Sequence, residues 1–198
     1  MLDKGNFPLR IEGRYCILEE ISPKYFQCVV DWRNDPEINK FLNQPFKLTM
    51  ELEKQWYENK YLTDDTQGLL IIIDKATNTP IGTTGWTDID LKARRCIKGR
   101  LLLGDNKYGR HPAFMEGLFL ATDYIYQFVD IQYGHVVKEN FKSVQNGKWM
   151  GFELNTGEIQ YPHELFVNGM EQQEFYCTKE MYLSARKKNF ERFFDRNK

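Results

Sequence analysis

The sequence predicts one α/β domain over residues 1–198, an α/β or α+β sheet covered by helices on both faces. Three observations predict it. Strand-like runs alternate with single helical segments along the chain. The run "GLLIIID" has the uninterrupted apolar character of a buried strand. Pro112 opens a long apolar helix, Ala113 to about Val129, of the kind that covers a sheet. No repeat, low-complexity tract or Pro/Gly/Ser linker divides the chain.

The elements follow in order. "RYCILEEI" alternates and reads as a first strand. Ser22-Pro23 opens a helix, with Ser as cap and Pro at the first helical position, running to Trp32-Arg33-Asn34. Asp35-Pro36 restarts a short helical piece. Thr49, with Glu51 and Glu53 behind it, caps another helix through Tyr61. After "GLLIIID", the turn Thr77-Asn78-Thr79-Pro80 leads into "IGTTGWTDID" and "IKGRLLLGD", two strands joined by the charged hairpin "LKARR". "YGHVVKEN" is the strand after the long helix, and "NFKSVQNGKWMGFE" a short helix. "HELFVNGM" and "EFYCTKEMY" read as two further strands, and a basic helix closes the chain.

Composition narrows the function. A hydrophobic fraction of 41% supports a core, and the aromatic share of 15% is high: some rings belong to the core, and a surplus often lines a pocket for flat or apolar ligands. A net charge of −1 gives no field to recruit nucleic acid or an anionic membrane. No apolar run approaches the length of a membrane span, and no secretory leader is visible, so a cytoplasmic protein is expected. Cys16, Cys28, Cys96 and Cys177 form neither a CxxC pair nor a Cys/His cluster, so they read as packing residues and no metal site is expected.

The informative stretch is "LLLGDNKYGRHPAFMEG". A strand ends, a loop carries Gly109, Arg110 and His111, and a helix begins at Pro112. Free amides and the positive end of the helix dipole make such a junction an anion site, and Arg110 adds a charge that can fork onto phosphate. Pro112 removes one donor, which leaves amides from Gly109 to His111 and from Ala113 onward.

Together with this junction, "HVVKENFKSVQNGKWMGF" resembles the GNAT superfamily of acyl-CoA-dependent N-acyltransferases. In that family a strand ends in Asn, a helix carries Ser three residues later, and Gly-Phe closes the segment. Asn140, Ser143, Gly151 and Phe152 fit. "WRNDPEINKFL", "LTMELEKQWYENK" and "IGTTGWTDID" resemble the branch that acylates nucleotide-linked amino sugars, and more loosely the ribosomal-protein acetyltransferases. The resemblance covers about residues 10 to 183. It implies the GNAT fold: a mixed, mostly antiparallel sheet of about seven strands, splayed in the middle, with helices on both faces.

The resemblance also implies site residues. Tyr108, Gly109, Arg110, His111 and Ala113 occupy the pyrophosphate-loop positions, with Tyr108 in place of a basic residue and His111 in place of Gly. Asn140 and Ser143 lie beside the pantetheine arm of acyl-CoA. A main-chain amide of Leu102 or Leu103 meets the thioester carbonyl, with Leu103 also a cofactor contact. The Tyr that protonates the leaving thiolate in many relatives is replaced by Gly147, which leaves water, a helix dipole, Tyr133 or Tyr161 for that role. For the base, His135 stands where several relatives place Glu, with Asp88 and Asp90 as rivals. His163 is the third histidine of the chain.

On the acceptor side, Arg33 with Trp32, and Trp86 in "IGTTGWTDID", are expected to contact substrate. The expected activity is acyl transfer to a nucleotide-linked amino sugar, a dTDP-amino-dideoxyhexose destined for surface polysaccharide such as O-antigen. A protein or peptide amine is the alternative acceptor, and a non-catalytic CoA-binding module the alternative class. The basic tail "SARKKNFERFFDRNK" reads as a surface helix or a contact between copies in a homo-oligomer.

Overall fold

A computed structural model describes residues 9–161 and 166–195. The chain forms β1 (Arg10–Glu12), β2 (Cys16–Glu20), α1 (Phe26–Asn34), α2 (Pro36–Asn39), α3 (Met50–Trp56), β3 (Gly68–Asp74), β4 (Thr79–Asp90) and β5 (Arg95–Leu103). It continues with α4 (Pro112–Ile125), β6 (Ile131–Val137), α5 (Phe141–Trp149), β7 (Glu153–Leu154), β8 (Phe166–Val167), β9 (Met170–Thr178) and α6 (Lys179–Asp195). A π-helical turn, Tyr57–Tyr61, extends α3. No helix among the described residues is long and apolar enough to cross a membrane.

Nine strands are paired among the described residues, in the order β1-β2-β3-β4-β5-β6-β9-β7, with β8 on β9. The two beyond the expected seven arise from short pieces such as β7 and β8, two residues each. All pairings are antiparallel except β5 with β6, the one crossover, made through α4. β3 is buried at every position because both its faces are covered. Leu18, Leu70 and Ile72 join the core beneath α4, whereas Ile17, Leu69, Ile71 and Ile73 pack with Phe26 and Val29 of α1.

Several start signals hold and one does not. Thr49 caps α3 by accepting the Leu52 amide, and Asp35 caps α2 by accepting that of Glu37. Ser22 makes no side-chain cap, and α1 is entered through a 3-10 turn, Pro23–Tyr25. "EFYCTKEMY" is split: its first half belongs to β9, and Lys179 begins α6. The closing helix is more than a surface element. Tyr182 donates to Asp123 of α4 at 2.7 Å, Arg186 forks onto the same carboxylate, and Phe190 meets Phe119 edge-on. The first three residues of "HELFVNGM", His163 among them, lie outside the described residues. Burial pushes the thiols of all four cysteines up, in keeping with packing roles.

Candidate active site

β5 and β6 pair for three residues and then part: Arg95, Cys96 and Ile97 face Ile131, Gln132 and Tyr133, and nothing beyond them is in register. From Lys98 to Leu103 on one side, and Gly134 to Val137 on the other, two strand edges flank an opening. β5 keeps β4 on its far side and β6 keeps β9, so the unpaired groups all face the gap. An extended ligand with amides of its own matches such facing edges, as the pantetheine arm of acyl-CoA would. When bound there it supplies an acyl group activated as a thioester.

The register also separates Leu102 from Leu103. Gly104 donates its amide to Ile81 of β4 at 2.9 Å. Alternation along an antiparallel ladder then turns the Leu102 amide toward β4 and the Leu103 amide into the opening. Of the two, only the Leu103 amide faces the opening, where a main-chain donor for a developing oxyanion would have to stand.

The loop before α4 is more self-satisfied than its sequence suggests. Gly109 donates to Asn106 O (3.1 Å) and His111 to Tyr108 O (2.9 Å). His111 Nδ1 accepts the Ala113 amide at 3.3 Å, capping α4, while Tyr108 braces the His111 ring edge-on. Among the described residues this leaves the amides of Arg110 and Phe114 without an intramolecular acceptor. An anion placed here would meet those two amides, the exposed Arg110 side chain and the helix dipole. Lys142 of α5 reaches across to Asn106 at 2.9 Å and ties the two walls at the mouth. Arg110→Ala is expected to weaken CoA binding about fivefold, ~1 kcal/mol for an exposed charge-assisted contact. Calorimetric titration with CoA checks this, and the difference should shrink as salt is raised.

β6 ends at Val137, three residues before Asn140, which opens α5 instead. Asn140 Oδ1 accepts the Ser143 amide at 3.2 Å, so both residues form the N-cap of α5 beside the opening. Gly151 closes the segment at φ +94°, and a Cβ there would lie 2.9 Å from Met181 O.

The other face of the sheet carries a cleft of about 490 Å³. Its lining includes Trp56, Asn59, Lys60, Thr66, Asp88 and Arg100. Two bulges shape it. On β5, Arg100 and Leu101 stand opposite Thr84 alone, with Arg100 at φ +54° and its carbonyl held by Thr83 Oγ1 at 2.6 Å. On β4, Asp88 is the extra residue, at φ +51°. Positive φ at an arginine and an aspartate is strained backbone kept at the cleft wall. The Arg100 guanidinium bonds to Gln67 and lies 5.2 Å from the Trp56 ring centre. Behind it, the buried Glu53 carboxyl is pushed up by burial, against the pull of Arg33 and Arg100.

His135 points to this same face, in line with Tyr133 on β6. Its Nε2 lies 3.3 Å from Glu174 Oε2, directly across the β6–β9 ladder. Glu174 is 4% exposed and also accepts Asn155 Nδ2 (2.6 Å), the Gln160 amide (3.0 Å) and the Tyr161 amide (3.1 Å). Burial raises the Glu174 pKa, but these hydrogen bonds outweigh it and the net shift is downward. The carboxylate is therefore ionised beside the imidazole at neutral pH. Tyr161 packs on Tyr133 at 5.4 Å, and Arg95 lies 4.9 Å from the Tyr161 ring centre.

The three residues expected to contact the acceptor do not line this cleft. Trp86 is fully buried on the α4 side, against Tyr124, and cannot touch a ligand in the cleft. Trp32 packs its ring onto the backbone at Gly104, where any Cβ would collide with it. Arg33 donates to Gln44 at 2.7 Å and holds the loop after α2, behind the cleft wall. Asp88 does line the cleft, exposed at its rim. Sequence reasoning missed Arg100, Lys60 and Glu174. None sits in a motif, and the bulges and cross-strand pairing that aim them leave no trace in local spacing.

Residues 16–153 match the acetyltransferase (GNAT) domain. A search of curated proteins finds no match. Among solved structures, the spermidine N-acetyltransferase from Vibrio cholerae, in complex with CoA and spermine, superposes with a TM-score of 0.71 at 19% identity, covering 86% of this chain and 99% of that one. A GCN5-related N-acetyltransferase from Brucella melitensis gives 0.71 at 19% identity, covering 92% of this chain and 87% of that one. These two are likenesses of fold. The family match spans well over half of the chain and ends where the opening between β5 and β6 has been walled by α5: the chain belongs to the GNAT acetyltransferase family.

Proposed function

We propose that this GNAT N-acyltransferase uses acyl-CoA to acylate the amino group of a nucleotide-linked amino sugar, such as a dTDP-amino-dideoxyhexose. The observation that carries the reading is the lining of the cleft. Asn59, Thr63, Thr66 and Thr87 offer neutral hydrogen-bonding groups of the kind that sugar hydroxyls need. Lys60 and Arg100 supply two cations for a diphosphate, and Trp56 an aromatic wall. A polyamine would ask for free carboxylates instead. Of the two acids in the lining, Asp64 is already engaged by Thr66 and Gln67.

In this reading the amine attacks the thioester directly, with the Leu103 amide facing the oxyanion and His135 accepting the amine proton, directly or through one water. Asp88, at the cleft rim, is the rival base. Release of CoA thiol from acetyl-CoA, assayed against dTDP- and UDP-linked amino sugars, spermidine and short peptides, tests the assignment. A nucleotide-linked amino sugar is expected to lead in kcat/KM by about tenfold or more, the discrimination that a few matched polar contacts provide. A peptide amine or spermidine that outruns every nucleotide sugar would overturn it.

A further inference from the structure

We propose that Glu174 is a positioning residue for acyl transfer, a single buried carboxylate that fixes the ring of His135 and the acceptor-side loop 155–161 together. The inference rests on the reading of His135 as the proton acceptor. Glu174 holds four donors, which nearly exhausts the lone pairs of a carboxylate. Two are main-chain amides, of Gln160 and Tyr161, and one is the side chain of Asn155, so the loop is anchored at both ends on one group. The fourth is His135 Nε2. A carboxylate there favours the ring form that carries a proton on Nε2. It also stabilises the imidazolium formed when the amine proton arrives.

Position strengthens the case. Glu174 faces His135 across a regular antiparallel pair, so the distance between them is fixed by the ladder. The loop it anchors carries Tyr161 over Tyr133, the next residue of the same β6 face. One carboxylate therefore sets both the base and the wall beside it. Among the described residues, the charged and titratable groups at this corner include Glu174 and Tyr176 from β9, Tyr133 from β6, Tyr161 from the loop and Arg95 from β5, with Asp88 and Asp90 beyond Tyr161.

The titration part of the test does not need the acceptor to be known, and the rate part uses a dTDP-amino sugar. The chain has three histidines, so the His135 ring signal can be assigned in an NMR titration by its loss in His135→Asn. In Glu174→Gln, with CoA present, the His135 ring is expected to titrate about one pH unit lower or more, because an adjacent anion has been removed. Thiol release from acetyl-CoA with a dTDP-amino sugar should fall about tenfold or more, with the acid limb of kcat/KM moving to lower pH. The same change in a His135→Asn background should remove little further activity. CoA affinity by calorimetry should hold throughout, which shows that each variant is folded. An unmoved His135 titration, with the rate loss adding in full to that of His135→Asn, would overturn the positioning role and leave the base assignment standing. A His135→Asn enzyme with the wild-type rate would overturn the base assignment and the positioning role with it.

Discussion

His135→Asn is expected to lower kcat by about 10²–10⁴-fold, the usual share of a general base. CoA affinity and the melting temperature should stay close to wild type. The expectation rests on geometry. His135 lies on the cleft face of β6, on the strand that forms one side of the opening, and its Nε2 is held by an ionised carboxylate. Asn keeps a donor for Glu174 and cannot accept a proton near neutrality, so the substitution removes the chemistry and spares most of the packing. If the histidine were only packed, the folded variant would keep the wild-type rate and any loss would be confined to the melting temperature, because the side chain is 12% exposed and Asn fills less of its space. Turnover and thermal unfolding measured on the same preparation separate the two. A folded variant at the wild-type rate would pass the role to Asp88, which lines the cleft at its rim.

What the sequence could disclose follows from the range of each interaction. The α5 segment is local. Asn140 caps it through a residue three positions on, and Gly151 ends it at a backbone angle that favours glycine, so both features are written in adjacent residues. The buried run of β3 and the start of α4 at Pro112 are legible for the same reason. The loop before α4 was half legible: its position follows from Gly109-Arg110-His111, but the 3-10 turn at Asn106–Tyr108 takes up the Gly109 amide there. The acceptor side was the least legible. An aromatic beside an arginine looks the same whether it lines a cleft or fills a core. Trp86 faces α4 because of its register with β3, Gly68 opposite Trp86, and no spacing in "IGTTGWTDID" reveals that. Arg100 enters the cleft through a bulge, and Glu174 meets His135 across 39 positions of sequence. Both depend on pairings that form only when the sheet does.

Lys98→Met is expected to stabilise the protein at neutral pH and to lose that gain in alkali. Lys98 is the first β5 residue beyond the stretch paired with β6, and its Nζ is turned to the α4 side, 2.7 Å from Thr84 Oγ1 and 5.4 Å from the Trp86 ring centre. Among the described residues no carboxylate lies within salt-bridge distance of it. Burial therefore pulls its pKa down to about 8, with Cys96 acting weakly the other way. An unfolded lysine titrates near 10.4. Below pH about 8 both states carry the charge, and the folded state bears the full penalty of enclosing it. Between about 8 and 10 the unfolded chain binds more protons than the folded one, so wild-type stability rises with pH through that window. Methionine has nearly the same length and no charge. It relieves the penalty but leaves the Thr84 hydroxyl without its partner, about 1 kcal/mol. The net gain at pH 7 should be about 1–2 kcal/mol after that loss. Urea unfolding at pH 7 and pH 9.5 reads the difference directly: the variant should lead at the lower pH and draw level at the higher. A variant that is weaker at both, by the same amount, would mean that the ammonium is favourably held by Trp86 and Thr84. Turnover measured on the stabilised variant then bears on function, since an enclosed charge at the apex of the opening, kept against the interest of the fold, is the pattern expected where stability yields to activity.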